Sequence, residues 1–311
     1  TENVPAAPDA PIVTPSPGTS GQFDIEACYR YCEDFTRRYR NNFPVASIFL
    51  PSALRPHVFA LYAFVRSADD MADEPEYAGR RAQALDDWED QLVRCYHGEA
   101  DHPIFVALAR TIETLDLPIA TLSDLIAAFR MDLNNHRYPT WNALRDYLSR
   151  AARPFGSLLL YVFGIRDAET HRYAEDLSAA LALTNCWQDL SQDVARDRVY
   201  VPQEDLKHFG VSESDLLARR QTHALTALMR FQCARTRALF ERSRPFVDLV
   251  PDKIGVEMAL FWYGGMRALS NVEARASKIF GSRQRLSPAD KALVVVRALA
   301  HRGKDLTSRL R

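Results

Sequence analysis

Long apolar runs are what this 311-residue chain lacks most plainly. The longest, Leu158 to Ile165, falls well short of the ~18 residues that would suggest a membrane span, which leaves contact with a membrane surface open but excludes a crossing. β-Strand signals are nearly absent. Val199-Tyr200-Val201 is the best run, and Pro202 ends it at once. The five cysteines (Cys28, Cys32, Cys95, Cys186 and Cys233) are odd in number and include no CxxC pair, which fits small core side chains in a reduced, cytosolic protein better than a disulfide scaffold. Neither sign of charge dominates, with 39 Lys and Arg against 40 Asp and Glu. Without a basic block interleaved with aromatics, a nucleic acid is not the expected partner. No GxGxxG or Walker loop supports a nucleotide, and the histidines show neither HExxH nor a Cys/His zinc spacing.

From Asp24 onward the apolar period is that of helices almost throughout. It predicts helices over 24–40, 44–50, 52–73, 78–98, 102–115, 118–136, 140–163, 167–195, 211–248, 252–280 and 286–308. The breaks fall at prolines and glycines such as Pro75, Gly98, Pro139, Gly164, Pro202, Gly210 and Pro251. Pro56 sits where a helix start tolerates it, whereas Pro154 is expected to kink its helix. Residues 1–22 are rich in Pro, Thr, Ser and Ala and read as a disordered leader. With no fixed repeat and no internal linker, residues 23–311 are expected to form one all-α domain.

Two acidic clusters stand out: Asp69-Asp70-Met71-Ala72-Asp73-Glu74, and Asn185-Cys186-Trp187-Gln188-Asp189 followed by Asp193. Each puts carboxylates four residues apart, on one helix face, where like charges repel. Each lies at the C-terminal end of a helix that is apolar nearly all round, where the helix dipole disfavours anions. One such pair alone would read as a solvated face. Two pairs, each at the end of a core helix and near polar anchors (Arg66; Asn185 and Gln188), point to cations between them. Magnesium favours this donor set together with substrate phosphates, and neither cluster has the alternating pattern of an EF-hand. Arg198 and Tyr200 are either a surface Arg beside a half-buried Tyr or a flap that donates to phosphate. Arg37, Arg38 and Arg40 either solvate a helix end or face an anion.

The chain resembles the squalene and phytoene synthase family from about Tyr31 to Lys291. The resemblance is carried by Phe43-Pro44-Val45-Ala46-Ser47 with Leu50-Pro51, by Leu61-Tyr62-Ala63-Phe64-Val65-Arg66 running into the first acidic cluster, and by the second cluster with Arg198, Tyr200 and Pro202. Within the family it looks most like the hydroxysqualene synthase branch of bacterial hopanoid biosynthesis. The signs are Asn42-Phe43-Pro44-Val45-Ala46-Ser47, Trp187-Gln188-Asp189 and Ala152-Arg153-Pro154-Phe155-Gly156. Most other members have Ser-Phe at Asn42-Phe43 and Arg-Asp at Gln188-Asp189. One departure is Asp197, where the branch usually has Gly before the flap arginine.

The resemblance implies an isoprenoid-synthase helical bundle around a central active-site cavity. Asp69, Asp73, Asp189 and Asp193 would bind about two or three Mg2+ ions with a substrate diphosphate. Tyr62, Arg66, Asn185, Arg198 and Tyr200 would bind that diphosphate, helped by Asn42, Phe43 and Gln188. Tyr147 would be the active-site tyrosine, and Tyr263 would lie near the diphosphate. The implied reaction is ionisation of presqualene diphosphate, rearrangement and water capture to hydroxysqualene, with no NADPH. Phe43, Phe129, Tyr147 and Phe155 are candidates to face the cation, at ~0.5–2 kcal/mol per aromatic face, or else plain core packing. The alternative is head-to-head condensation of two farnesyl or geranylgeranyl diphosphates; a distant one is a non-catalytic assembly factor of the same fold. Expected partners are the isoprenoid diphosphate, a presqualene diphosphate synthase and a hydroxysqualene-reducing enzyme. The expected location is cytoplasmic, with peripheral contact to the inner membrane.

Overall fold

Side chains that accept from first-turn N–H groups start several of the helices, those of His102, Thr140, Asp167 and Thr222 among them. The computed structural model describes residues 23–38, 51–134, 136–281 and 285–309. The expected helix at 44–50 and the site candidates Asn42 and Phe43 lie outside the described residues. Asp24 accepts from the Glu26 N–H and starts α1 (Ile25–Arg38). A short 3-10 turn, Ser52–Leu54, leads into α2 (Arg55–Asp73), with Pro56 in its first turn where the missing N–H costs nothing. After α3 (Arg81–Tyr96), the His102 imidazole caps α4 (Pro103–Leu115). Then come α5 (Ile119–Asn134) and α6 (Trp141–Ala151), the latter capped by Thr140. Next are α7 (Arg153–Val162) and α8 (Ala168–Ala195), which Asp167 caps through the Thr170 N–H. The short α9 (Gln203–His208) and α10 (Glu213–Leu217) precede α11 (His223–Arg242), capped by Thr222. The remainder is α12 (Phe246–Leu249), α13 (Asp252–Ala274) and α14 (Pro288–Arg309).

Three sequence-based expectations change. The single kinked helix over 140–163 is two helices, α6 and α7, parted at Ala152. Pro154 lacks the N–H that would continue α6, so it serves the first turn of α7 instead. The long helix over 211–248 is broken at Arg219, which adopts a left-handed φ of 52°, and again at Ser243–Pro245. The strand candidate at Val199 is a single parallel bridge to Arg137, the only bridge among the described residues. The Val199 N–H donates to the His136 carbonyl at 2.9 Å and the Gln203 N–H to the Tyr138 carbonyl at 2.9 Å, which zips the α5–α6 loop to the segment after α8.

The interior has two main parts. In one, α1, α2, α3, α4 and α5 bury Phe64, Trp88, Phe105 and Leu108. In the other, α8, α11 and α13 bury Leu183, Trp187 and Phe240. The Trp187 indole donates to Thr236 Oγ1 at 2.9 Å, so this residue of the second acidic block is a core anchor. Beneath it, Asp205 accepts from Gln232 at 2.8 Å and from Arg235 at 2.8 Å. α7 joins the two parts, packing on α5 and α8, while α2 and α8 have little direct contact among the described residues. The acidic ends of these two helices are linked across that separation by side chains.

Glycines set how closely α8 is held. A Cβ at Gly156 of α7 would lie 2.8 Å from the Ala174 carbonyl oxygen and 2.6 Å from Ser178 Oγ. Backbone atoms cannot step aside as side chains can, so α7 lies against α8 at a distance only glycine allows. Gly156→Ala is expected to lower the urea midpoint, at a cost of about 1–3 kcal/mol. Gly264→Ala in α13, whose Cβ would meet nothing nearer than Val294 Cγ1 at 3.9 Å, is expected to raise it by about 0.5–1 kcal/mol. Equal midpoints for the two variants would contradict this packing.

Candidate active site

The last turns of α2 form one wall. Tyr62, Arg66, Asp69 and Asp73 follow one another at spacings of four, three and four, which keeps them on one helix face. Arg66 pairs with Asp69 Oδ2 at 2.5 Å, with Asp70, and with Glu74 at 3.8 Å. One guanidinium thus serves three carboxylates. Burial pushes the Asp69 carboxyl up to about 6; Asp73, Asp70 and Glu74 add to the shift and Arg66 opposes it. Burial also raises the neighbouring Tyr62 hydroxyl, so it remains a donor at neutral pH.

The opposite wall is α8. Asn185, Gln188, Asp189 and Asp193 share a face, while Leu183, Trp187, Leu190 and Val194 are buried on the other side. Asn185 is exposed; Gln188, Asp189 and Asp193 are half-buried. Beyond the helix end the backbone turns at Asp197, which takes a left-handed φ of 60°. The Arg198 N–H then donates to the Asp193 carbonyl at 2.8 Å. The Arg198 side chain reaches across to α2 and donates from Nη2 to Asp73 Oδ1 at 3.3 Å. That hydrogen bond joins the two acidic motifs.

Asp132, at the end of α5, lies between the walls. Burial pushes its carboxyl up to about 6; a hydrogen bond from Tyr147 and the charge of Arg198 oppose the shift, while Asp73 and Asp69 of α2 reinforce it. On α8, the Cys186 thiol is raised first by burial, then by Asp193, Asp132 and Asp189. Asp132 therefore feels carboxylates of α2 and acts on a thiol of α8. Around it stand Tyr138, Tyr147 and Tyr200. Tyr138 stacks on Tyr200 at 5.8 Å, and Tyr147 lies 5.3 Å from Tyr138 and 6.0 Å from Tyr200. Burial drives all three hydroxyls far above the range in which they would ionise near neutral pH, so they are permanent donors.

The structure thus gathers Tyr62, Arg66, Asp69 and Asp73 on one side, Asn185, Gln188, Asp189 and Asp193 on the other, and Tyr147, Arg198 and Tyr200 between. Tyr263 is placed elsewhere. Its ring neighbours are Trp262 at 5.0 Å and His301 at 6.1 Å, and it packs with Val247, Ala259 and Ala298; none of these belongs to the carboxylate walls. Of the aromatic candidates, Phe129 on α5 is half-buried and Phe155 on α7 is 46% exposed. Sequence reasoning missed Asp132, Tyr138 and Arg137. Asp132 had the same signal as the others, an acid at the end of an apolar helix, but no partner four residues away. Arg137 explains Asp197. It pairs with Asp197 Oδ1 at 2.5 Å, donates to the Asp197 carbonyl, and pairs with Glu213 at 2.6 Å. Asp tolerates the left-handed region better than most residues, and Arg137 holds it there in place of a glycine.

The geometry matches known proteins. The profile of the squalene/phytoene synthase family covers residues 36–290. The 15-cis-phytoene synthase of Synechocystis sp. is 31% identical over 294 residues, 90% of this chain and 86% of that protein. The squalene synthase HpnC from Alicyclobacillus acidocaldarius superposes with a TM-score of 0.77 at 38% identity, covering 81% of this chain and 95% of that one. A dehydrosqualene synthase superposes with a TM-score of 0.78 at 24% identity, covering 90% of this chain and 98% of that one, and so shares the fold. From its sequence profile, its all-helical architecture and its opposed acidic helices, the chain belongs to the squalene/phytoene synthase family.

Proposed function

We propose that this protein ionises presqualene diphosphate and captures the rearranged cation with water, giving hydroxysqualene and diphosphate. The observation that carries the diphosphate chemistry is the Arg198–Asp73 hydrogen bond, which shows that the arginine after α8 and the acidic end of α2 lie within reach of one bound anion. The choice of presqualene diphosphate over condensation is supported by Gln188, where the resemblance puts an arginine in most other members, and by 38% identity to the squalene synthase HpnC.

The residues present fit a divalent cation. Burial raises Asp69 and Asp132 to about 6 and the carboxylates around them add to the shift; a cation bound beside them would favour their ionised forms. Among the described residues no three His, Cys, Asp or Glu side chains converge to hold a metal unaided. That suits Mg2+, which takes one or two carboxylates and completes its shell with substrate phosphates and water. Asp69, Asp73, Asp189 and Asp193 would hold it, and when bound it would stabilise charge on the departing diphosphate. Arg66 and Arg198 donate to the same oxygens, as do the Tyr62 and Tyr200 hydroxyls and the amides of Asn185 and Gln188. The substrate C–O bond breaks with its electron pair on diphosphate. A water oxygen then bonds to the carbocation and loses a proton, and no reductant is needed. Asp132, hydrogen-bonded to Tyr147 with its carboxyl near 6, is suited to accept that proton. The stacked tyrosine faces favour positive charge beside them.

A second reading, condensation of two farnesyl or geranylgeranyl diphosphates, is favoured by the 31% identity to a 15-cis-phytoene synthase. Mass spectrometry of products separates the two. Presqualene diphosphate with Mg2+ is expected to give hydroxysqualene equally with and without NADPH. Turnover of farnesyl diphosphate supplied alone would replace the first reading with the second.

Two further outcomes are expected. Asp69→Asn and Asp189→Asn should each lower kcat by about 100-fold or more with the far-UV circular dichroism unchanged, and chelation should abolish turnover until Mg2+ is restored; full activity after chelation would remove the metal from the scheme. The second concerns pH. With Asp69 and Asp132 raised to about 6, the native state binds more protons than the unfolded chain between about pH 4 and 6. The unfolding free energy of metal-free protein should therefore fall as pH rises through that window. Urea titrations at both ends test this, and Asp132→Asn should flatten the slope; a slope of opposite sign would contradict the assignment.

A further inference from the structure

α14 meets the rest of the fold through one face. Val294 and Ala298 are buried. His301 lies against Arg244 at 2.9 Å and Asp248 at 2.6 Å. Asp290 is buried and accepts from Arg267 at 2.6 Å and from Asn271 at 3.2 Å. The outward face carries Leu293, Val295, Val296 and Leu299, 38%, 45%, 62% and 54% exposed, with Ala292 and Ala300 exposed among them. Every other helix that shows an exposed large hydrophobic residue among the described residues shows one. Four within seven positions is therefore a feature of α14 itself.

The borders of this face are basic. At 100° per residue, the aliphatic positions span the side opposite Val294 and Ala298, with Lys291 flanking one edge and Arg297 the other; both are exposed. Residues 285–311 hold seven Lys and Arg against two Asp, in a chain whose net charge is −1. A second copy of the chain would bring basic border against basic border, which is unfavourable. An anionic lipid surface satisfies both features, because acyl chains accept the aliphatic face while headgroups meet the basic borders. No helix among the described residues is long and apolar enough to cross a membrane, so the helix would lie in the plane of the interface.

We propose that α14 seats the protein on an anionic membrane surface through Leu293, Val295, Val296 and Leu299, with Lys291 and Arg297 at the headgroups. The proposal does not depend on which isoprenoid the site turns over. The test is flotation of the full chain with phosphatidylcholine vesicles, with and without phosphatidylglycerol. Recovery with the vesicles is expected only when phosphatidylglycerol is present, and should decline with added salt. The variant V296D/L299D should lower the partition coefficient by about ten-fold or more, and Arg297→Glu by about five-fold or more, each with unchanged helicity by circular dichroism. Three results would overturn the proposal. One is recovery away from both kinds of vesicle, and another is equal binding to neutral vesicles. The third is light scattering that shows a dimer which V296D/L299D dissociates, making this face a self-association surface.

Discussion

Everything at the centre of this protein follows from too many carboxylates sharing too few cations. Asp69, Asp70 and Asp73 on α2, Asp132 on α5, and Asp189 and Asp193 on α8 have Arg66 and Arg198 in their midst. Burial is what first forces the Asp69 and Asp132 carboxyls toward protonation, and the carboxylates beside them add to it. A chain selected for stability alone would put uncharged groups there. The arrangement persists because the other faces of the same helices bury a core large enough to hold them in place.

The two classes of ion pair differ accordingly. The Arg198–Asp73 pair is partly exposed, and pairs of that kind stabilise by about 0–1 kcal/mol. It can be exchanged for contacts with an incoming anion at little cost. The Asp205–Arg235 pair beneath α8 is nearly dry on its acidic side, and losing one member of such a pair costs about 3–5 kcal/mol. The strong pair therefore lies in the scaffold and the weak one between the acidic helices, so the walls can hold still while the side chains between them change partners. Gly156 and Gly265 add to the stillness. A Cβ at Gly265 would lie 2.6 Å from Leu181 and from Phe240, so α7 and α13 both lie against α8 at short range.

Much of this was legible in the order of residues. Apolar periodicity located the helices, and α8 falls at Ala168–Ala195 because Asp167 is a good cap and the acidic stretch stays in phase with its apolar face. The paired aspartates could be read because spacing along one helix is a local property. What escaped was tertiary. Asp132 has no partner on its own helix and gains meaning only where α5 runs between α2 and α8. Arg219 turns left-handed without the glycine that would announce a break, so one expected helix proved to be several. Pro154 announced a disturbance, but a kink and a fresh start look alike until the neighbouring helices are in place. Tyr263 came from resemblance, and its seam between α13 and α14 is a matter of packing that no local pattern encodes.

The turn before Arg198 has a consequence of its own. Its shape is specified at two points 60 residues apart, Asp197 and the Arg137 that grips it. Because Arg137 also holds Glu213 and sits on the bridge to Val199, the loops after α5 and α8 and the start of α10 form one mechanical unit. Change at either end is constrained by the other, and a drift toward glycine at the turn would release the arginine for different work.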